Sequence, residues 1–172
     1  MKHLSPAITA TKHLLAAAMG LAALLPALAA PVAGVSSGDT LTVIEGSRSV
    51  KIRLAYIDAP EPRQPYANHS RRSLSELCAG KDAKYDILYT DRKKQAIAIV
   101  HCNGINANHY QVARGMAWVY DEYNKDDTLF ALQQEARKAR LGIWQADIVT
   151  PPWEFRRLGF TGRIDGKKSF SE

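Results

Sequence analysis

The chain has 172 residues and a formal net charge of +6, from 23 lysines and arginines against 17 acidic side chains. That length suits one folded unit with a single core and excludes two. The charge is a mild bias towards polyanions and does not by itself mark a nucleic-acid-binding composition. The first residues read as an export signal: Lys2, Lys12 and His13 make a basic start, Leu14 to Leu25 an apolar run, and Ala27-Leu28-Ala29 a small-residue cleavage site. Cleavage is expected after Ala29, since a cut after Ala30 would put Pro31 beside the scissile bond. The apolar run is shorter than the roughly 20 residues a spanning helix needs. Residues 1–29 are therefore expected to be removed, leaving a periplasmic or secreted protein without stable membrane association; an uncleaved anchor is the other reading. Losing Lys2 and Lys12 lowers the basic count from 23 to 21 against 17 acids, a net +4.

Thr40 to Ile44 and Val50 to Ile57 alternate and are rich in β-branched residues, with Glu45-Gly46-Ser47 between them, which predicts a hairpin. Pro65 opens a predicted helix whose Leu74, Leu77 and Cys78 share a face, and Gly80 closes it. Lys84 to Leu88 and Ala96 to Val100 read as two strands around an Asp91-to-Gln95 loop. Ile105 to Arg114 is a short helix ending at Gly115, and Trp118 to Tyr120 begins an extended segment. Thr128 is the expected N-cap of a helix through Leu129, Leu132, Ala136 and Ala139 that stops before Gly142. A folded domain over 30–157 and a polar, frayed tail over 158–172 complete the organisation. Short strands with helices among and after them suggest an α+β fold, a small β-barrel with packed helices.

Two cysteines in an exported chain most simply form a pair. Closing the span from Cys78 to Cys102 restricts the unfolded chain by about 3 kcal/mol in the chain-entropy account. A metal held by Cys78, Cys102 and His101 would lack a fourth ligand at suitable spacing, so the disulfide is expected.

The densest chemistry lies in Arg53-Leu54-Ala55-Tyr56-Ile57-Asp58-Ala59-Pro60-Glu61, with Gly38-Asp39-Thr40 upstream. Strand alternation puts Arg53, Ala55 and Ile57 on one side. Pro60 ends the ladder, because it has no N–H to donate and restricts its predecessor. Asp58 and Glu61 are then expected on the turn leaving the strand, exposed and fixed. Carboxylates converging beside an arginine suit a hard divalent cation and a phosphodiester. Taken alone, the nonamer also fits a polar strand exit with a surface ion pair.

These segments resemble the staphylococcal nuclease (thermonuclease) family. Further matches follow in the family's order: Gln64-Pro65-Tyr66, Asp91-Arg92, Gly115-Met116-Ala117-Trp118-Val119-Tyr120, Glu135-Ala136-Arg137, Gly142-Ile143-Trp144 and Pro152-Trp153-Glu154-Phe155-Arg156. The resemblance spans about residues 35 to 157. It implies a five-stranded OB-type barrel with about three helices, a fold that presents one face and its loops to nucleic acid. It also implies a monomeric Ca²⁺-dependent nuclease that cuts DNA and RNA, internally or from ends, with little sequence preference, leaving 3′-phosphates.

Carried over by position, Asp39 and Asp58 are the metal carboxylates and the Ala59 carbonyl adds a third oxygen. Glu61 orients or deprotonates the attacking water, and Arg53 holds the phosphate. Arg92, Lys93, Tyr120 and Tyr123 are substrate contacts, through phosphate pairing and base stacking. Core packing is the expected role of Trp118. The family's second catalytic arginine falls at Gln95, in Asp91-Arg92-Lys93-Lys94-Gln95. Glutamine donates hydrogen bonds but cannot neutralise charge, and one lost charged contact to the transition state costs about 3–4 kcal/mol, or 100-fold to 1,000-fold in rate. Compensation by Lys93 or Lys94 swinging in is the alternative, an imperfect one because lysine lacks the planar fork. The turn's glycine is also absent, so the loop is expected to take another shape. Ser37 stands where relatives often carry another acidic residue. Gln95 motivates a second reading, a weakened or inactive nucleic-acid-binding module, and a third is an envelope interaction domain that uses the barrel as scaffold.

Overall fold

The computed structural model describes residues 29–120, 122 and 124–159. Its element order is β1 (Ala29–Ser37), β2 (Thr40–Glu45), β3 (Arg48–Leu54), β4 (Ile57–Asp58), α1 (Ala67–Cys78), β5 (Asp82–Thr90), β6 (Ala96–Cys102), β7 (Ile105–Asn106), α2 (Ala107–Ala113), β8 (Trp118–Val119), α3 (Asp127–Lys138), a 3₁₀ turn (Gly142–Gln145) and α4 (Pro152–Gly159). Strands β1, β2 and β3 form an antiparallel meander, and β5 adds to β1 and β6 to β5. β3 then pairs with β6 in parallel, with Arg53 beside Ile97. That last ladder closes the five strands into a barrel and removes its free edges. The α+β, OB-type barrel read from the sequence is the fold observed.

Alternation along the strands fills the interior. Leu41 and Val43 of β2, Ile52 and Leu54 of β3, and Ala98, Val100 and Cys102 of β6 are all buried. Their neighbours Thr42, Lys51 and Arg53 therefore point out of the barrel. Helix α1 covers the interior with Leu74, Leu77 and Cys78, a stripe at the three- and four-residue spacing of a helix face. Val112 of α2 and Leu129 of α3 complete the cluster. The Cys78–Cys102 disulfide joins α1 to β6 inside this core. Among the described residues, no helix is long and apolar enough to cross a membrane.

Several elements depart from the sequence reading. β1 was not anticipated, because Ala29-Ala30-Pro31-Val32-Ala33-Gly34 lacks β-branched density and its register to β2 slips twice. The strand expected over Val50–Ile57 breaks at Tyr56, whose φ of 64° is left-handed. Beyond that kink Ile57 and Asp58 leave the barrel and pair with β8. The helix expected from Ile105 starts at Ala107, because Ile105 and Asn106 first extend the sheet beside β6 and Asn106 then caps α2. Asp126, not Thr128, caps α3, accepting from the Thr128 N–H at 3.0 Å. The first turn of α1 follows a left-handed Tyr66 instead of opening at Pro65. Three helices pack on the barrel as expected, and α4 is an addition. Of the expected leader only Ala29 lies among the described residues. Most of the expected tail, residues 160–172, lies outside them.

Candidate active site

The turn joining β1 to β2 brings Asp39 to the rim of the barrel. Gly38 is required there: a Cβ on it would stand 1.6 Å from Ser70 Oγ. Buried Gln111 donates to the Gly38 carbonyl at 2.6 Å and clamps the turn against the helices. The Asp39 carboxylate is fully engaged. Its Oδ1 accepts from Ser37 Oγ at 2.7 Å and Thr40 Oγ1 at 2.9 Å, and its Oδ2 from the Ala59 N–H at 3.2 Å.

The kink at Tyr56 folds Asp58 back beside β3. Asn108, buried at the start of α2, holds this corner: its Oδ1 accepts from Val100 N and its Nδ2 donates to the Ala55 carbonyl at 2.9 Å. As a result Arg53, pointing outward from β3, meets both aspartates. Its Nη2 is 2.6 Å from Asp58 Oδ1 and its Nε 3.4 Å from Asp39 Oδ2. One guanidinium thus bridges two carboxylates of 6 % and 1 % residue exposure.

Burial is the largest influence on Asp58 and pushes its pKa up. The hydrogen bond from Arg156 and the charges of Arg53 and Arg156 oppose this, and Asp39 adds to it. Expected exposed, Asp58 is instead buried by the kink at Tyr56, a carboxylate deprived of water and in need of cationic partners.

Glu61 follows on the same loop, with its side chain partly exposed. Its backbone N–H donates to Gln64 Oε1 at 2.9 Å, and Gln64 Nε2 donates to the Thr150 carbonyl at 2.6 Å. Buried Gln64 therefore ties the Glu61 loop to the segment entering α4. Pro152 starts that helix, at the position where a missing N–H costs nothing. Trp153 packs edge-on against Trp118 and Tyr120, with ring centroids 5.7 and 5.6 Å apart. So anchored, α4 delivers Arg156. Its Nη2 is 2.7 Å from Asp58 Oδ2, and its Nη1 is 3.1 Å from Asp58 Oδ1 and also donates to Glu61 Oε1. The same carboxylates raise the Arg156 pKa and keep it charged. Sequence reasoning gave Arg156 no role, although it closes the quoted Pro152-to-Arg156 motif. The available signal was a helix-starting proline four residues before an arginine.

The structure brings Asp39, Arg53, Asp58, Ala59 and Glu61 together. Gln95 lies at the foot of β6, its N–H donating to Asp91 Oδ1 at 2.8 Å. Among the described residues no hydrogen bond links its side chain to the aspartates, Arg53 or Glu61. The turn before it keeps a glycine-like shape after all, because Lys94 takes φ 59°. Arg92 and Lys93 are exposed on that turn. Tyr120 is half-buried and occupied, in edge contact with Trp153 and donating to Glu122 at 2.7 Å. Trp118 is buried, in edge contact with Trp144 at 4.4 Å. Tyr123 lies outside the described residues.

The model of the family described as staphylococcal nuclease homologue matches residues 51–146. The chain belongs to the staphylococcal nuclease family. Relatives of this homologue agree. It is 38 % identical over 136 residues to an Escherichia coli O157:H7 protein named uncharacterized endonuclease, covering 76 % of this chain and 89 % of that one. Over 127 residues it is 35 % identical to a Haemophilus influenzae protein of the same name, covering 73 % and 71 %. A protein of Shigella flexneri named micrococcal nuclease is 31 % identical over 156 residues, covering 83 % and 90 %.

Among the described residues, no three His, Cys, Asp or Glu side chains are arranged to hold a metal ion. A two-carboxylate site nonetheless fits a hard cation in this staphylococcal nuclease homologue. Asp39 and Asp58 flank one cationic group, Arg53, and both are buried oxygen donors. Ca²⁺ takes carboxylate, carbonyl and water oxygens at roughly 2.3–2.6 Å. Asp39, Asp58 and the Ala59 carbonyl are the oxygens that would hold such a cation.

Proposed function

We propose that the protein is an exported, Ca²⁺-dependent nuclease that hydrolyses phosphodiester bonds of DNA and RNA with little sequence preference. What carries this reading is the bridge made by Arg53 between the buried Asp39 and Asp58, with Glu61 three residues further along the loop. Bound between the aspartates, Ca²⁺ would supply positive charge for the phosphate oxygens. The protein's own groups do the rest. Arg53 offers a planar pair of donors to the phosphate and to the charge that builds in the pentacoordinate state. Glu61, partly open to solvent, orients a water and accepts its proton. The Ser37 and Thr40 hydroxyls and the Ala59 N–H hold Asp39 in one orientation.

Contacts to the backbone of the substrate fit the barrel's outer surface. Arg48, Lys51 and Lys94 line a groove of about 380 Å³ with Ile87 and Ala96. Lys51 and Arg53 share the outward side of β3, so this basic groove leads along the strand that carries Arg53. Binding to phosphates rather than bases should fall steeply with salt. The basic leader, its apolar run and the Cys78–Cys102 pair support export after cleavage following Ala29.

The test is cleavage of single-stranded DNA, plasmid and RNA by the processed, oxidised protein. Degradation with Ca²⁺, none with EDTA, and loss of most activity in a folded Glu61→Gln variant are expected. Full activity in EDTA, or an unaffected Glu61→Gln protein, would overturn the mechanism. Gln95 favours one second reading, a module that binds oligonucleotide without cutting it. Salt-sensitive binding with no cleavage at any Ca²⁺ concentration would establish it instead.

A further inference from the structure

Gln95 leaves the site without the second guanidinium of the family pattern, and the fold delivers another from a different element. Arg53 on β3 and Arg156 on α4 converge on one atom, Asp58 Oδ1, at 2.6 and 3.1 Å. Asp58 has 1 % exposure, whereas the Arg156 side chain is 40 % exposed. Arg156 therefore lies on the solvent side of the buried carboxylate, where an incoming phosphate must arrive.

We infer that Arg156 is the second phosphate-binding guanidinium of this enzyme, reaching the scissile phosphate from α4 instead of from the turn before β6. This rests on the nuclease reading above. Charge complementarity supports it. Asp39, Asp58 and Glu61 face Arg53 and Arg156, so the pocket carries one excess negative charge. A divalent cation reverses that to one excess positive charge, the complement of a phosphodiester's single negative charge. With Arg53 alone the loaded pocket would be neutral and would have no net attraction for its substrate. Position supports it as well. Trp153 and the Gln64–Thr150 bond fix α4 to the elements that carry Asp58 and Glu61, so the guanidinium is presented on a packed helix. Were a cation to take Asp58, Arg156 Nη2 would lose its carboxylate partner and be open to a phosphate, while Nη1 would keep its bond to Glu61. A planar, permanently charged fork matches phosphate geometry in a way that a glutamine amide cannot.

The alternative is that Arg156 only positions Asp58 and Glu61. Four variants of the full processed protein separate the two: Arg156→Gln, Arg156→Lys, Gln95→Arg and the double Arg156→Gln/Gln95→Arg. The readouts are kcat and KM on single-stranded DNA with Ca²⁺, Ca²⁺ affinity by calorimetry without nucleic acid, and the near-ultraviolet signal of the tryptophan cluster. Arg156→Gln should lower kcat by about 100-fold or more, with Ca²⁺ affinity retained. Adding Gln95→Arg should restore at least about tenfold of that loss, while Gln95→Arg alone should gain less than about threefold, since the charge is already present. A kcat within about threefold of native for Arg156→Gln overturns the inference. So does a loss that Gln95→Arg fails to recover, which marks a positioning residue. If Arg156→Gln loses the tryptophan signal, Arg156→Lys decides: recovery of its lowered kcat by Gln95→Arg supports the inference, and no recovery overturns it. A native protein that cleaves nothing in Ca²⁺ sinks the nuclease reading itself, and this inference with it.

Discussion

Asp58 and Arg156, 98 positions apart in the chain, meet in a two-pronged ion pair with Nη2 2.7 Å from Oδ2 and Nη1 3.1 Å from Oδ1. The pair makes Asp58 the hub of the site, since Arg53 meets the same carboxylate. Asp58→Asn keeps the size and removes the charge, leaving two guanidiniums facing each other across a neutral amide. Ca²⁺ affinity should fall at least tenfold and cleavage by about 100-fold or more. Hydrogen exchange over residues 152–159 should rise, because α4 loses its ion pair. Unchanged Ca²⁺ binding by calorimetry would remove Asp58 from the metal-ligand set.

Arg53→Lys tests the bridge between the aspartates. Lysine keeps the charge but cannot reach Asp39 and Asp58 with separate nitrogens of one rigid plane. The expected result is a fall in kcat of about 100-fold with KM changed far less, measured by steady-state kinetics on single-stranded DNA. A variant with native kcat would show that the fork has no part in the transition state.

The Gly38–Ser70 contact couples the fold to the chemistry. Gly38→Ala puts a methyl group 1.6 Å from Ser70 Oγ and 3.0 Å from Ala59 Cβ. The turn must move, so a loss of about 1–3 kcal/mol in urea unfolding is expected. Because Asp39 is the next residue, Ca²⁺ affinity should drop with it. Ser70→Gly in the same chain should recover part of both losses. Stability and Ca²⁺ binding equal to native would mean that the turn yields without effect.

The Cys78–Cys102 bond closes a span of 24 residues between α1 and β6, with both sulfurs in the core. Replacing both by alanine should lower stability by about 3 kcal/mol through the greater freedom of the unfolded chain. The check is urea unfolding of native and variant protein, in oxidising buffer and in dithiothreitol. Reductant should shift the native midpoint towards the variant's and leave the variant unmoved.

Asp126 gives a pH dependence of known sign. Burial acts to raise its pKa, but the hydrogen bond and charge of His109 and the bonds from Thr128 outweigh it and hold the group below the ordinary 3.8. A carboxylate depressed in the folded state stabilises above its unfolded pKa, and the gain is lost as pH falls through the folded value. Asp126→Ala should therefore cost about 1 kcal/mol at neutral pH, with the cap of α3 lost. Its difference from native should shrink steadily as the pH drops below 3.8. Unfolding midpoints measured across that range provide the check, and a gap that widens on acidification would contradict the assignment.

What was legible in the sequence follows from how local each cause is. The β2–β3 hairpin and the helices α1 and α3 carry their own periodicity. The barrel closes through a parallel β3–β6 ladder between strands some forty residues apart, and here the family likeness had to supply what the pattern does not. The kink at Tyr56 was hidden because a tyrosine, not a glycine or asparagine, takes the left-handed backbone. Lys94 shows the converse, keeping a turn whose usual glycine is missing. β1 is held by hydrogen bonds to two neighbours and needs little side-chain patterning of its own. The carboxylates and Arg53 were legible because they cluster within a short stretch. Arg156 was not, since only α4 docking through Trp153 brings it within reach of Asp58.

The constellation draws on side chains from Ser37 to Arg156, so a growing polypeptide lacks it until α4 has emerged. A partly synthesised chain holds Asp39, Asp58 and Glu61 without Arg156.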